Sequence, residues 1–257
     1  MLWKKLLTGL TATNTVENKM KVSDIIDLRL AIQKTEIKPG IILLASAFIP
    51  ALHRYIGSFE FAMNNYPEAS EFKASVYMFA SAFFLLGIIP LLLIKITFKE
   101  SLSEYGLGFG NLKTGMKYIL LIFPLIAVLL LYPSSGTREM LEFYPLDKAA
   151  GESVFSFLRY EVIRMVFFYS AWEFFFRGFI LFGLRKYMGD WLAICIQTVP
   201  SCLWHIGMPA GEIFASIFGG ILFGLMVLKS KSILYPFILH VLIGFTLDLL
   251  IVLQNYQ

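Results

Sequence analysis

Five residues in the second half of the chain have the types and spacing for chemistry in an apolar setting: Glu173, Arg177, His205, His240 and Asp248. Glu173 and Arg177 stand four apart in Trp172-Glu173-Phe174-Phe175-Phe176-Arg177-Gly178. On a helix both therefore project from one face and reach each other. A carboxylate held in an apolar environment has a raised proton affinity and can serve as a general base. Histidines relay protons or donate hydrogen bonds to an oxyanion. One Glu with two His is thus the composition of a site that activates water. Glu173, His205 and His240 could also ligate a divalent metal such as zinc, because two His and a carboxylate form a common catalytic shell. No His-Glu-x-x-His helix is present, so the metal reading lacks its most specific signature and no cofactor is assigned. His240, Gly244 and Asp248 follow at four-residue steps on one helix face. Glycine between the two polar residues leaves room for a water, a metal or a substrate backbone. The plainer alternative for the whole set is a satisfied polar network that fixes helix packing.

The elements that must position these groups are read as membrane helices. Of the 257 residues, 58% are hydrophobic and only 16% charged, with 25 Phe. Soluble domains are nearer 45–50% apolar and about 25% charged. This composition points to an all-α fold, a polytopic transmembrane bundle of seven or eight helices. Candidate spans are residues 40–56, 75–95, 116–133, 166–184, 190–208, 211–228 and 232–253. The stretch 150–165 is amphipathic, with Arg159, Glu161 and Arg164 among apolar residues. It lies at the interface, re-enters, or extends the helix that follows, and so decides between seven and eight. Residues 1–39 are Lys-rich and read as an amphipathic cytoplasmic segment ahead of a transmembrane bundle over 40–257. No sufficient apolar run follows Lys4-Lys5, so no cleavable signal peptide is expected.

Lysines and arginines cluster before the first span and in alternate loops, which puts the N-terminus in the cytoplasm of a multi-pass cell-membrane protein. A net charge of +4, spread between apolar segments, suits lipid headgroups and excludes a nucleic-acid surface. If the spans alternate, Glu173, His205 and Asp248 fall in one half of the membrane, with His240 one or two turns deeper. Ser216, Gly220 and Gly224 form a small-residue stripe suited to close helix packing. Cys195 and Cys202 read as small apolar residues and His53 as an interfacial histidine.

These motifs resemble those of the CAAX protease and bacteriocin-processing (CPBP) intramembrane proteases, over roughly residues 150–250. That family carries Glu-Glu-x-x-x-Arg, then Phe-x-x-x-His, then His-x-x-x-Asn or Asp, on three helices. Glu173 to Arg177 matches the first motif, Ser201 to His205 the second, and His240 to Gly244 the third. The chain departs from the pattern at Trp172, Ser201 and Gly244. The resemblance implies a helical bundle around a water-accessible cavity and peptide-bond hydrolysis in or near the membrane. Its implied partners are membrane lipid and a peptide or protein substrate. Glu173 is then the base or its orienter, held by Arg177. His205 is a base or proton relay, and His240 stabilises the oxyanion. Asp248, one turn beyond Gly244, orients His240 or a water. The rival, favoured by Trp172 and Gly244, is a non-catalytic scaffold or chaperone that binds a peptide or lipid-modified partner in the same cavity.

Overall fold

A computed structural model describes residues 33–255. Most of the expected segment 1–39 lies outside them. The chain divides into Met1–Ile37 and Lys38–Gln257, and every site residue belongs to the second part. The principal helices are α1 (Lys34–Ile56), α2 (Phe59–Asn65), α3 (Glu71–Phe98), α4 (Leu112–Ser135), α5 (Arg138–Phe143), α6 (Val154–Trp204), α7 (Ala210–Ser230) and α8 (Leu234–Asn255). No strand occurs among the described residues.

Local chemistry sets the helix starts. The side chains of Ser58, Ser70, Asn111 and Ser153 each accept from a backbone N–H in the first turn of α2, α3, α4 and α6. Each satisfies a donor that the helix itself leaves orphaned.

Six described helical stretches are long and apolar enough to cross a membrane, where the sequence reading expects seven or eight. The difference lies in α6, whose 51 residues count as one stretch. They are divided at Gly189, where φ is +79° and ψ is 166°. A side chain is disfavoured at that positive φ, so glycine makes the turn possible. Ile194 on one arm and Leu181 on the other both lie against Gly224, so the arms run back along each other. The expected spans 166–184 and 190–208 are thus two arms of a hairpin, the second ending at Trp204, and the stretch 150–165 extends the first arm from Val154 onward.

α6 is the centre of the bundle. Its best membrane window is 67% buried by protein, against 17% for α4. Phe175, Phe176 and Phe179 have no exposed surface and anchor the main core with Ile180, Leu181 and Leu184. On α4, Leu120, Leu121, Leu125, Val128 and Leu129 remain exposed, as a lipid-facing helix requires.

The helices approach through small residues. Gly220 and Gly224 of α7 face Thr198 and Ile194 of the return arm, as the stripe implies. Gly115 of α4 lies against the ring of Tyr235 on α8, where a Cβ would overlap the ring. Gly115→Ala is therefore expected to destabilise the fold by about 1–3 kcal/mol through overpacking. Thermal unfolding in detergent checks this against Gly40→Ala, where nothing lies within 4 Å of the added carbon. Equal midpoints for the two variants would refute it.

Outside the spans, Lys38 Nζ donates to both oxygens of Glu100 at 2.7 and 2.6 Å, and the Tyr105 hydroxyl also donates to Glu100. Burial pushes the Glu100 carboxyl up, but these hydrogen bonds outweigh it and hold the group below its ordinary value. The link fixes the start of α1 to the loop after α3.

Candidate active site

Glu173 is fully buried on the first arm of α6, and two groups grip it. The His240 Nδ1–H of α8 donates to Glu173 Oε1 at 2.6 Å. Arg177 Nε lies 3.4 Å from Glu173 Oε2, one turn further along the same arm. That second contact is ionic without hydrogen-bond geometry. Glu173 Oε2, Arg177 Nε and Arg177 Nη1 all lack a hydrogen-bond partner. Arg177 is also held by aromatic faces, 5.1 Å above the Phe223 ring and 5.9 Å from Phe176. From Phe174 to Phe182 the arm winds with π-helical pitch, a feature that gathers at functional sites.

The Glu173–His240 bond fixes the imidazole. With Nδ1 donating to the carboxylate, Nε2 carries the lone pair and is the basic nitrogen. The ring is only partly covered, at 21% side-chain exposure, whereas the Glu173 side chain has none. Tyr169 lies against the ring at 4.5 Å between centroids, and Phe223 meets it edge-on at 5.7 Å.

His205 caps the return arm of α6. Its Nδ1–H donates to the Ser201 carbonyl at 2.8 Å, which again leaves Nε2 as the basic nitrogen. Trp172 stands between the two histidines, 2% exposed, edge-on to His205 at 5.6 Å and to His240 at 6.1 Å. The hairpin explains the proximity: Trp172 and Glu173 lie about as far before Gly189 as Trp204 and His205 lie after it. His53, read as interfacial, is buried by protein. It is 2% exposed, with Nε2 on the Met78 carbonyl at 3.2 Å and its ring 4.4 Å from Trp204.

Both site histidines line a cavity of about 1290 Å³, mostly apolar, that also reaches Trp172, Arg177, Arg164 and Asp248. It extends toward the bundle end that carries α2, α5 and the 205–209 turn. There the segment with α5 closes over α7. The Tyr144 hydroxyl donates to Glu212 Oε2 at 2.8 Å, and the Ala210 N–H donates to Glu139 Oε2 at 3.3 Å. Burial, with the Glu212 carboxylate beside it, pushes the Tyr144 hydroxyl well above its ordinary pKa, so it remains a donor.

Asp248 stands apart from this group. Arg164 Nη1 donates to Asp248 Oδ2 at 2.8 Å, and Arg164 Nη2 lies 3.3 Å from Glu161 Oε2. All three residues are at most 5% exposed. Asp248 is thus bound to Arg164, where the sequence reading has it orienting His240 or a water. Gly244 leaves no vacancy either: a Cβ there would overlap the Tyr169 hydroxyl and lie 2.8 Å from Arg164 Nη2. The space beside α8 is filled by Tyr169 and Arg164.

Glu173, Arg177 and His240 are therefore in direct contact, His205 faces them across Trp172, and Asp248 belongs to a second charge centre. Among the described residues no three His, Cys, Asp or Glu side chains form a group that could hold a metal ion. The expected donors Glu173, His205 and His240 do not make a three-ligand shell. Arg164 and Tyr169 escape the sequence reading. Tyr169 is four residues before Glu173, a spacing that already puts both on one helix face. Arg164 reads as interfacial because its partner Asp248 is 84 residues away.

Residues 155–246, about a third of the chain, match the family described as type II CAAX prenyl endopeptidase Rce1-like. The match covers all three motifs and is consistent with the CPBP resemblance that they carry. No curated protein matches the chain, and no solved structure does.

Proposed function

We propose that this chain, whose helical core follows the Rce1-like pattern, is an intramembrane endopeptidase that hydrolyses a membrane-associated peptide or protein with histidine-activated water. The observation that carries the reading is the 2.6 Å contact between His240 Nδ1 and the buried Glu173 carboxylate, with His240 open to the cavity.

In this reading His240 Nε2 takes a proton from water, and the hydroxide adds to the scissile carbonyl carbon. The Glu173 carboxylate orients the ring and stabilises the imidazolium that forms, while Arg177 balances the carboxylate's charge at rest. Glu173 is the orienter of the two roles open to it, because both its oxygens are buried, one hydrogen-bonded to His240 and the other paired with Arg177. His205 Nε2, which carries a lone pair, then relays the proton taken up by His240 to the leaving amine nitrogen as the C–N bond breaks. The cavity suits a peptide segment. At about 1290 Å³ it exceeds the ~300–1,000 Å³ of typical small-ligand sites, and its walls are apolar.

The test is cleavage of membrane-peptide libraries by protein reconstituted in vesicles. His240→Ala and His205→Ala are each expected to lose about 10²–10⁴ in kcat, the usual contribution of a positioned acid or base. Wild-type rates in both variants would end the proposal.

A further inference from the structure

Hydrolysis as proposed develops negative charge on the carbonyl oxygen, and the residues above leave that oxygen without a donor. His240 is engaged as base, and the only N–H of His205 is committed to the Ser201 carbonyl. Both side chains of the Glu173–Arg177 pair are 3% exposed or less.

Tyr169 stands in the right place. It lies one turn before Glu173 on the same arm, and its ring is 4.5 Å from the His240 ring between centroids. It lines the cavity although it is only 7% exposed. Among the described residues its hydroxyl has no hydrogen-bond partner. The hydroxyl hangs over the bare α-carbon of Gly244, where any Cβ would displace it. Arg164 Nη2, also without a hydrogen-bond partner, converges on the same point, 2.8 Å from that Cβ position. The Arg164 guanidinium lies 5.2 Å from the Tyr169 ring centroid. A phenol whose ring packs on the base, with a cation near its hydroxyl, can hold a donor ready for charge that appears only during reaction.

We infer that the Tyr169 hydroxyl is a catalytic hydrogen-bond donor to the oxygen that turns negative when water adds to the scissile carbonyl. The carbonyl π pair moves onto oxygen as the new C–O bond forms. Tyr169 keeps its proton throughout, and the pair returns when the C–N bond breaks. This inference rests on the hydrolytic reading above.

Tyr169→Phe keeps the ring and removes only the donor. It is expected to lower kcat about 10²–10³-fold, the usual loss for one such donor, with KM changed less than about 2-fold. Affinity for a peptidyl phosphinate, which carries the tetrahedral anion permanently, is expected to fall by a similar factor. Affinity for an uncleavable peptide of the same sequence is expected to stay constant. Gly244→Ala, which pushes the hydroxyl aside, is expected to reproduce the kcat loss. A cleaving wild type beside an equally active Tyr169→Phe overturns this inference alone. So does phosphinate affinity that Tyr169→Phe leaves unchanged. A wild type that cleaves no membrane peptide removes the hydrolytic reading, and this inference with it.

Discussion

Glu173→Gln is expected to lower kcat by about 10³–10⁴-fold, roughly 4–5.5 kcal/mol of barrier, and to weaken the fold at the same time. The catalytic loss follows from the 2.6 Å bond to His240 Nδ1. A carboxylate accepts from that nitrogen, fixes the tautomer and stabilises the imidazolium. An amide can present its NH2 instead, which turns Nδ1 into the acceptor and puts the proton on Nε2, where the base must be free. The stability loss has a separate origin. Arg177 is buried beside Glu173, and removing one partner of a buried ion pair costs about 3–5 kcal/mol. The two effects separate in Glu173→Gln combined with Arg177→Met. That double variant is expected to recover most of the unfolding midpoint, because no charge is stranded, and to stay inactive. Turnover near the wild-type rate in well-folded Glu173→Gln would show that the carboxylate plays no part in the reaction.

Arg164→Met is expected to be the most damaging single change to the fold away from the Glu173 pair. It strands Asp248 and Glu161, both buried, beside each other. The expected loss is about 3–5 kcal/mol, which shifts an unfolding midpoint on the order of 10 °C in a protein of this size. Neutralising the cluster with Arg164→Met, Glu161→Gln and Asp248→Asn together is expected to restore much of that loss, since charge-free replacements of buried ionic groups are often tolerated. The measurement is the thermal midpoint of the single and triple variants in one detergent. A single variant as stable as wild type would mean that the guanidinium carries no structural burden.

The two charge centres differ in how far the sequence exposes them. Glu173 and Arg177 are four apart on one helix, so their pairing follows from helical geometry, and the family-like motifs around His205 and His240 point to the same cavity. Arg164 and Asp248 meet only because α8 returns along α6, and no local rule predicts a contact over 84 residues. Tyr169 lies between these cases. Its face is predictable from spacing, but its position over Gly244 depends on how closely α8 approaches. Helix existence was legible from apolar runs, since a membrane leaves few alternatives to a helix. The break near Gly189 was legible as well, because Arg185 and Lys186 separate the apolar runs 166–184 and 190–208. The burial of His53 was not legible. A histidine beside Arg54 near a span's end resembles a surface residue, and only the tertiary stacking on Trp204 draws it inward.

Because Glu173 and His205 belong to a single hairpin, their facing is a matter of helical phase, set at one residue. Each residue of an α-helix advances the azimuth by about 100°. An insertion beside Gly189 would leave both arms intact and apolar, yet rotate His205 away from Trp172 and the cavity. Two insertions would turn it to the opposite side, and only about a full turn of added residues would bring it back. The turn therefore sets the site's timing as a gear tooth does: substitutions nearby are absorbed locally, while a change in length is carried along the whole return arm.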